Sequence, residues 1–516
     1  GGGGGGAATD GAVELGEDPQ LPPEGYSLQV RAAAGGGTFL AIKVSVKQRR
    51  AAVLHALETL RQLLPPEVYG KDPRSCLPAP VPRCNIKDWP RYPWRGLMLD
   101  VARHFFDVGQ VKNLLSIMSM HKLNVLHLHL SDDQGWRVQV RGKPELTIVG
   151  ARRGPSLNNP AGDENGERIY HGRQYPEPRF FSVDDIREIV ALASALAIEV
   201  VPEIDVPAHA AAMILAARSA GKDIGVVELH EGCAAFLGER PFSEPPNCMG
   251  GTHGIIVPTP EAMKYVLEAI SEVADLFPGR YFHLGGDEAD QFRDDAYSTE
   301  AAVRLMRGLH LELSTQLQGH IVDEVYRLLQ SKNKTPIAWD ETLFGLEGYR
   351  PPSDLLAMWW RDWSSDEAAW EAVLASGYNI ILAPNSKMYL DQYQMEPHKD
   401  SKFRVQEGTV TLRATYSVAQ LEGGDQVLGV QGCLWSEHFV EEEVLEYQLF
   451  PRGAAVAEVG WTAKHHASDF DDFLVRWRRH TSRLDRMGVR YYSGSYVGNL
   501  PEMPPPEFDG GWFGDS

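Results

Sequence analysis

The sequence contains no run of about 18 apolar residues, so it predicts no transmembrane helix. It also has no cluster of lysine and arginine, and its net charge of −20 argues against non-specific binding to nucleic acid. The amino-terminal residues have neither a basic start nor an apolar stretch, so no signal peptide is predicted. The composition is that of an ordinary globular protein, and its negative charge favours a neutral or cationic partner.

Cysteine is scarce, with five residues in the whole chain. Cys76 and Cys84 are close enough in sequence to be bridged, as are Cys233 and Cys248, and both pairs lie in segments rich in proline and glycine. Cys433 lies in an apolar run, which is typical of a reduced core cysteine. The sequence favours neither the presence of at least one disulfide nor its absence. A disulfide would favour an exported protein, so the compartment stays open.

The length of 516 residues exceeds one ordinary core and predicts more than one domain. Residues 1–24 are glycine-rich and acidic, and we expect a disordered segment or linker. Residues 25–88 predict a small α/β domain, short enough to be truncated, with two strands and one helix. Residues 89–500 form the predicted main domain, and 501–516 a carboxy-terminal tail.

Strand-like runs alternate with helical patterns throughout the main domain. Eight such units predict a (β/α)8 TIM barrel behind the small α/β domain, with a doubly wound sheet as the structural alternative. A long insert rich in glycine and proline, around residues 219–256, separates the third and fourth runs. The eight runs are RGLMLDV, VLHLHLSDD, IEVVPEIDVP, YFHLGGDE, TPIAWDE, LLAMWWR, NIILAPNS and VLGVQGCLWSE.

Polar and aromatic side chains follow most of these runs. In a barrel of this kind, catalytic groups lie at the carboxyl ends of the strands. Aromatic faces pack on pyranose rings while carboxylates accept hydrogen bonds from hydroxyls, so a rim of this composition predicts a sugar ligand. The rim candidates are Asp100, Arg103, His104, Asp132, Asp133, Glu203, Asp205, His209, Asp287, Glu288, Trp339, Asp340, Glu341, Trp359, Trp360, Arg361, Trp435 and Glu437.

Asp287 and Glu288 are adjacent in HLGGDE, and their adjacency narrows the chemistry. Ordinary glycosidases oppose two carboxyl groups across the scissile bond, at roughly 5–5.5 Å or 6.5–9.5 Å. Neighbours on an extended segment point in opposite directions, which does not suit that geometry. We therefore expect Glu288 to donate a proton, with a pKa raised by burial and by its neighbour, while Asp287 supports a nucleophile that the substrate supplies.

Eight motifs occur in chain order, namely YPWRGLMLDVARHFF, LNVLHLHLSDDQGWR, VVPEIDVPAHA, YFHLGGDE, AWDE, YLD, CLWSE and LFPRGAAVAEVGWT. Together they resemble the β-N-acetylhexosaminidases of glycoside hydrolase family 20, over about residues 25 to 500. The resemblance implies an exo-acting, retaining enzyme that removes terminal GlcNAc or GalNAc through an oxazolinium intermediate. It implies a carbohydrate partner and no metal or organic cofactor, and a homodimer stays open.

The resemblance also implies roles for individual residues. Glu288 matches the general acid/base, and Asp287 matches the residue that orients the acetamido nitrogen and stabilises the oxazolinium. Arg95 matches the arginine that grips the C3 and C4 hydroxyls. Tyr389 matches the tyrosine that binds the acetamido carbonyl, and Asp391 matches a residue near the C4 and C6 hydroxyls.

The remaining matches form a wall and a relay. Trp435 and Glu437 match residues near the same hydroxyls, and Trp435 joins Trp339 and Trp360 around the acetamido methyl. The resemblance matches His209 and Asp132 to a polar relay that reaches the general acid. Asp133 remains an alternative to Asp132, and Trp359 to Trp360.

Structural roles are the alternatives to these assignments. The acid pair could cap a helix, Arg95 could form an ion pair at a domain interface, and His209 could be a hydrogen-bonded structural histidine. His127 and His129 could belong to a metal site, but alternating histidines in an apolar strand are more often packed and hydrogen-bonded. For the whole protein, an enzyme that releases disaccharides and a sugar-binding protein with an inactive site remain alternatives.

Overall fold

The structure, a computed structural model, describes most of the chain. Its described residues are 12–32, 38–70, 72, 81–153, 175, 177–229, 252–291, 293–362, 367–395, 403, 405–421, 423–439, 442–463 and 469–494. The predicted tail, 501–516, and the central part of the predicted insert therefore lie outside the described residues.

A four-stranded sheet forms the small amino-terminal domain, with the order β1-β3-β2-β4. β1 is parallel to β3, and the other neighbours are antiparallel. These strands are β1 (Ala12–Asp18), β2 (Tyr26–Ala32), β3 (Thr38–Ser45) and β4 (Cys84–Asp88). Because β1 extends this sheet, the prediction of a disordered or linker segment over residues 1–24 is wrong for residues 12–18, and the domain begins earlier than residue 25.

Eight parallel strands close into a barrel in the order β12-β13-β14-β15-β18-β5-β6-β9. Each predicted run overlaps one of these strands, and closure excludes the doubly wound alternative. The barrel strands are β5 (Trp94–Asp100), β6 (Val125–His129), β9 (Glu199–Glu203), β12 (Tyr281–His283), β13 (Thr335–Trp339), β14 (Leu356–Trp359), β15 (Ile380–Leu382) and β18 (Val427–Leu434).

Three two-stranded ribbons project from the barrel loops. They pair β7 (Ser131–Asp132) with β8 (Gly135–Trp136), β10 (Gly225–Leu229) with β11 (Thr252–Ile256), and β16 (Gln392–Tyr393) with β17 (Gln406–Thr409). The described α-helices are Arg49–Gln62, Val108–Met120, Glu145–Ile148, Val183–Ala195, Ala211–Ser219, Pro260–Leu276, Arg293–Ala296, Glu300–Gly308, Ser314–Ser331, Asp340–Phe344, Glu367–Ala375, Asn385–Met388, Leu412–Ser417, Glu442–Leu449, Arg452–Trp461 and Phe470–Met487. Short 3₁₀ turns occur at Pro66–Tyr69, Ala289–Gln291, Val418–Gln420 and Gly424–Gln426.

The barrel strands are buried on both faces, which explains their continuous apolar sequences. In β5, Leu97 and Leu99 pack outward against the surrounding helices, while Met98 points into the barrel. The same alternation in β6 turns His127 inward between Leu126 and Leu128. A period of two therefore assigns each side chain either to the outer core or to the barrel interior.

Among the described cysteines, Cys84 and Cys433 are free thiols, and Cys433 is buried as expected. Cys84 is free, so the bridge to Cys76 that the sequence left open is not formed, and Cys76 itself lies outside the described part of the chain. The second predicted pair, Cys233 and Cys248, also lies outside it. Among the described helices, none combines the length and the apolar character that crossing a membrane requires.

Two half-buried histidines join the end of the helix that precedes β6 to the helix Phe470–Met487. Nδ1 of His121 lies 2.8 Å from the carbonyl oxygen of Ile117, and its Nε2 lies 3.0 Å from Nε2 of His480. His121 donates to the carbonyl, so its Nε2 must accept from His480, and both rings are neutral. Burial lowers the pKa of His121 to about 4 and the pKa of His480 well below its usual value.

The histidine pair predicts acid sensitivity. Between pH about 6.5 and about 4, His121 binds a proton in the unfolded chain but not in the folded protein. The free energy of unfolding therefore decreases as the pH is lowered through this range, by about 1.4 kcal/mol per pH unit at most. We expect the double variant His121→Gln/His480→Gln to lose less thermal stability than the wild type between pH 7 and pH 5. Exposed His310→Asn is the control; an identical pH dependence in the double variant would contradict the prediction.

Candidate active site

A cavity of about 340 Å³ opens at the carboxyl ends of the barrel strands. It is lined by Arg103, His129, Asp132, Asp205, His209, Asp287, Glu288, Trp360, Asn385, Tyr389, Asp391, Gln392, Gln406, Trp435 and Glu437. A larger cavity of about 710 Å³ lies at the opposite end, between the small domain and the amino ends of the strands. The smaller cavity holds the acid pair and is the candidate site.

The turn after β12 carries Asp287 and Glu288 into this cavity. Gly285, Gly286 and Glu288 have φ angles of 74°, 99° and 49°, so the segment is a tight turn and the extended geometry expected from the sequence is wrong. A Cβ at Gly285 would collide with the carboxylate of Asp205. The glycines are required here, and Glu288 adopts a left-handed conformation that is uncommon outside glycine.

His209 stands between the acid pair and the aspartates that follow β6. Its Nε2 lies 3.4 Å from Oε2 of Glu288 and 3.9 Å from Oδ2 of Asp287. Its Nδ1 lies 3.5 Å from Oδ1 of Asp132 and 3.7 Å from Oδ2 of Asp133. The imidazole thus contacts carboxylates on both sides, which is the geometry that a proton relay requires.

Asp132 and Asp133 have different tasks. Asp133 Oδ1 accepts hydrogen bonds from the backbone N–H groups of Ala211 and Gly254, both at 2.9 Å. Asp132 lines the cavity, and its Oδ2 lies 2.8 Å from a guanidinium nitrogen of Arg103. The structure therefore places Asp132 beside the cavity and uses Asp133 to fix the loop around it.

The pKa values of His209 and Glu288 are shifted in opposite directions, which the sequence did not predict. Burial opposes a charge on His209, but Asp132 and its neighbours raise its pKa well above the usual value. The hydrogen-bonding contact with this imidazolium lowers the pKa of Glu288, with burial opposing it. The expectation of a raised pKa for Glu288 is therefore wrong, and His209 is the group whose pKa is raised.

Asp287 has the opposite environment. It is buried, and burial together with Asp205 raises its pKa well above the usual value. Burial also raises the pKa of Asp205 to about 7, and its Oδ1 accepts a hydrogen bond from the Gly286 N–H at 2.9 Å. The two neighbouring residues of the acid pair thus favour different protonation states.

Arg95 lies outside this cavity, and its predicted contact with a ligand is wrong. It is the second residue of β5, at the amino end of the barrel, and it is fully buried. Its guanidinium donates to both carboxylate oxygens of Glu24, at 2.6 and 3.3 Å, and to the carbonyl of Tyr92. Arg95 and Glu24 form an ion pair between the small domain and the barrel.

Arg103, which follows β5, occupies the cavity instead. Its guanidinium contacts Asp132 at 2.8 Å, Asp100 at 3.2 Å and Glu437 at 3.6 Å, and it lies 5.0 Å from the ring of Trp435. The sequence places both arginines in one motif without separating their roles. The rule that functional groups follow barrel strands would have selected Arg103.

Aromatic rings form one wall of the cavity. Trp360 and Tyr389 are stacked with their centroids 5.9 Å apart, and Tyr389 lies 5.9 Å from Trp435. Trp359 points to the outer side of the barrel and packs on Trp370, so Trp360 is the cavity residue. Trp339 is fully buried beneath the wall, with its ring centroid 5.8 Å from that of Trp435. The prediction that Trp339 lines the cavity is therefore wrong.

Acidic and polar groups form the facing edge. Burial, followed by Glu437, raises the pKa of Asp391 well above its usual value. Among the described residues, Oδ1 of Asp391, Oδ1 of Asp287 and Nε1 of Trp435 are buried without a hydrogen-bond partner. Buried polar atoms are almost always paired, so these atoms point to a ligand that carries both donors and acceptors. Asn385, Gln392 and Gln406 complete this edge; none of them was a predicted site residue, although Asn385 lies at the end of the predicted run NIILAPNS.

Histidines and carboxylates below the cavity could also hold a metal. Donor atoms of His129, Glu203 and Asp205 lie within 4.8 Å of one another, as do those of Asp205, His209 and Asp287. His129 contacts Glu203 at 2.5 Å through Nδ1 and Asp132 at 2.9 Å through Nε2. Both ring nitrogens are thus bonded within the protein, as expected for packed histidines, and the network fixes Asp132 beneath Arg103.

Comparison with known proteins gives one family. The family model described as "Glycosyl hydrolase family 20, catalytic domain" matches residues 92–464. A β-hexosaminidase of Porphyromonas gingivalis is 33% identical over 504 residues, which are 96% of this chain and 57% of the relative. A β-N-acetylhexosaminidase of Cellulomonas fimi is 30% identical over 505 residues, which are 96% of this chain and 85% of the relative. The chain therefore spans little more than half of the first relative.

Solved structures agree with this comparison. The exo-β-N-acetylglucosaminidase of Vibrio harveyi, in complex with N-acetylglucosamine, is 28% identical, with a TM-score of 0.74. The match covers 94% of this chain and 70% of that one. A second β-N-acetylhexosaminidase is 27% identical, with the same TM-score of 0.74, and the match covers 96% of each chain.

Proposed function

The chain belongs to glycosyl hydrolase family 20, and from that premise we propose that it is an exo-acting, retaining β-N-acetylhexosaminidase. The enzyme hydrolyses terminal non-reducing GlcNAc or GalNAc from oligosaccharides or glycoconjugates, with the acetamido group of the substrate as the nucleophile. The observation that carries the proposal is the contact of His209 with both members of the acid pair inside one cavity.

The cavity composition supports a sugar with one apolar and one polar side. Arg103 donates to ring hydroxyls, while Asp391 and Glu437 accept from them. Trp360, Tyr389 and Trp435 enclose the acetamido group, exclude water and hold its carbonyl near the anomeric carbon. The volume of about 340 Å³ is at the small end of ligand cavities and favours one sugar ring over a disaccharide.

Glu288 donates a proton to the leaving oxygen, and His209 restores it. The pKa of His209 is raised well above its usual value, and its Nε2 lies 3.4 Å from the Glu288 carboxylate. A bound sugar removes water from the half-exposed Glu288 side chain, which favours its protonated form. Asp132 stabilises the imidazolium, so the relay keeps an acid available near neutral pH.

Asp287 braces the substrate's own nucleophile. Attack by the acetamido carbonyl oxygen on the anomeric carbon breaks the glycosidic bond and leaves a cationic oxazolinium ring. The developing positive charge beside Asp287 favours its ionised form, and Asp205, with a pKa of about 7, accepts the displaced proton. Water activated by Glu288 then opens the ring, and both substitutions occur on the same carbon, so configuration is retained.

Inhibition by N-acetylglucosamine thiazoline tests this proposal, because the compound mimics the oxazoline. We expect strong competitive inhibition and hydrolysis of aryl 2-acetamido-β-glycosides, while the matched aryl β-glucosides, which lack the acetamido group, barely react. Activity that persists under the thiazoline, or equal hydrolysis of the glucosides, would contradict substrate assistance. Chitin oligosaccharides in the same panel separate release of single sugars from release of disaccharides.

A further inference from the structure

Glu288 is held in an unfavourable backbone conformation. Its φ of 49° lies in the left-handed region, which residues other than glycine seldom adopt. Such a conformation is unfavourable for a residue with a side chain and persists only where the surroundings determine it strongly. The position of the Glu288 carboxyl in the cavity depends on this conformation, so a group that fixes the backbone also fixes the carboxyl.

The side chain of Glu341, which follows the next barrel strand, fixes the backbone of Glu288. It belongs to the short helix Asp340–Phe344, which follows β13, and its Oε2 accepts the hydrogen bond of the Glu288 N–H at 2.8 Å. The next residue, Thr342, donates from Oγ1 to the carbonyl of Gly286 at 3.3 Å. Two consecutive residues therefore hold the turn that carries the acid pair.

A carboxyl group is a costly choice for this contact. Glu341 is buried, and burial together with Asp287 raises its pKa to about 8. A buried acid beside a second buried acid destabilises the fold unless both are bonded. Glu341 does not line the cavity, so contact with a ligand does not explain its presence.

We propose that Glu341 is a positioning residue, which holds Glu288 in its left-handed conformation and so directs the Glu288 carboxyl at the leaving oxygen of the substrate. This inference rests on the proposed function, in which Glu288 donates the proton. A misplacement of about 1 Å at such a group costs on the order of 10²-fold in rate, although the group itself is unchanged.

Two near-isosteric variants separate the hydrogen bond from the bulk of the side chain. Glu341→Met fills the same space without an acceptor, whereas the amide oxygen of Glu341→Gln can still accept from the Glu288 N–H. We expect Glu341→Met to lower kcat by about 10²-fold with KM within about threefold, and Glu341→Gln to remain within about fivefold of the wild type. The loss in Glu341→Met should be smaller for aryl glycosides with activated leaving groups, which need less protonation.

Glu199 is the matched control, because it performs the same task at the other end of β12. Its Oε1 accepts from the N–H groups of Arg280 and Tyr281, at 2.5 and 3.2 Å, beside the larger cavity. Glu199→Met should lower the melting temperature and leave kcat and its leaving-group dependence unchanged. Glu341→Ala, in which no apolar bulk is added, repeats the test if Glu341→Met fails to fold.

The outcomes distinguish this inference from the proposed function. Thiazoline inhibition and acetamido dependence are measured first on the wild type, and their absence would overturn both proposals. With a wild type that behaves as proposed, normal kcat in Glu341→Met would overturn the positioning role alone. Equal losses in Glu341→Gln and Glu341→Met would also overturn it, because the retained acceptor would then have no effect.

Discussion

Glu288→Gln is expected to lower kcat on aryl 2-acetamido-β-glycosides by about 10²–10⁴-fold, the usual contribution of general acid catalysis. Gln cannot donate the proton, but it keeps the size of the side chain and its donor or acceptor contact with His209, 3.4 Å away. Steady-state kinetics at several pH values measures the effect, with melting temperature as the check on folding.

A series of aryl glycosides with leaving phenols of different acidity tests whether the loss in Glu288→Gln reflects proton donation. We expect the loss in Glu288→Gln to shrink as the leaving phenol becomes more acidic, because such phenols depart without a proton. The matched control is Asp290→Asn, an exposed acid two residues further on. An unchanged rate in Glu288→Gln, or a loss that is independent of the leaving group, would favour a binding protein or another acid.

Asp287→Asn is expected to lower kcat by about 10²–10³-fold, which is the size of effect seen when one preorganised electrostatic contact to a transition state is removed. The amide cannot ionise, so the cationic ring loses its anionic brace. The same kinetic assay measures the rate, and thiazoline binding measures the fit of the oxazoline mimic.

Asp287→Asn should also weaken thiazoline binding more than it weakens binding of the substrate. This contrast follows because the brace is strongest when the ring is cationic, and ground-state sugar is neutral. Asp290→Asn again serves as the control. Equal weakening of substrate and mimic would show that Asp287 binds the ground state, and an unchanged rate would contradict its role.

Much of the fold could be predicted from local patterns. Strands such as VLHLHL and helices such as VDDIREIVALASALA have distinct periods, and their alternation limits the architecture. The same reasoning failed for residues 12–18, because the strand AVELGED gains its partner only from β3, more than twenty residues away. Its acidic, glycine-containing sequence carries no local signal that differs from a linker.

The site could be predicted in part. Strand ends identified most residues that line the cavity, among them the acid pair, His209 and Trp435, whereas Tyr389 was identified only by the family resemblance. The same rule, applied to β5, selects Arg103 and rejects Arg95, which the motif alone could not do. Gln406 comes from a ribbon outside the barrel, so no strand-end rule could have found it.

The amino-acid sequence alone determined the barrel, the end of the barrel at which chemistry takes place, and the acid pair. These features depend on residue spacing, which a linear chain carries by itself. Tertiary structure alone decided which arginine enters the cavity, which tryptophan faces it, and that the pKa of His209 is raised while that of Glu288 is lowered. His209 is 79 positions from Glu288 in the chain, yet it sets the pKa of that carboxyl, because electrostatic effects follow distance in space and burial.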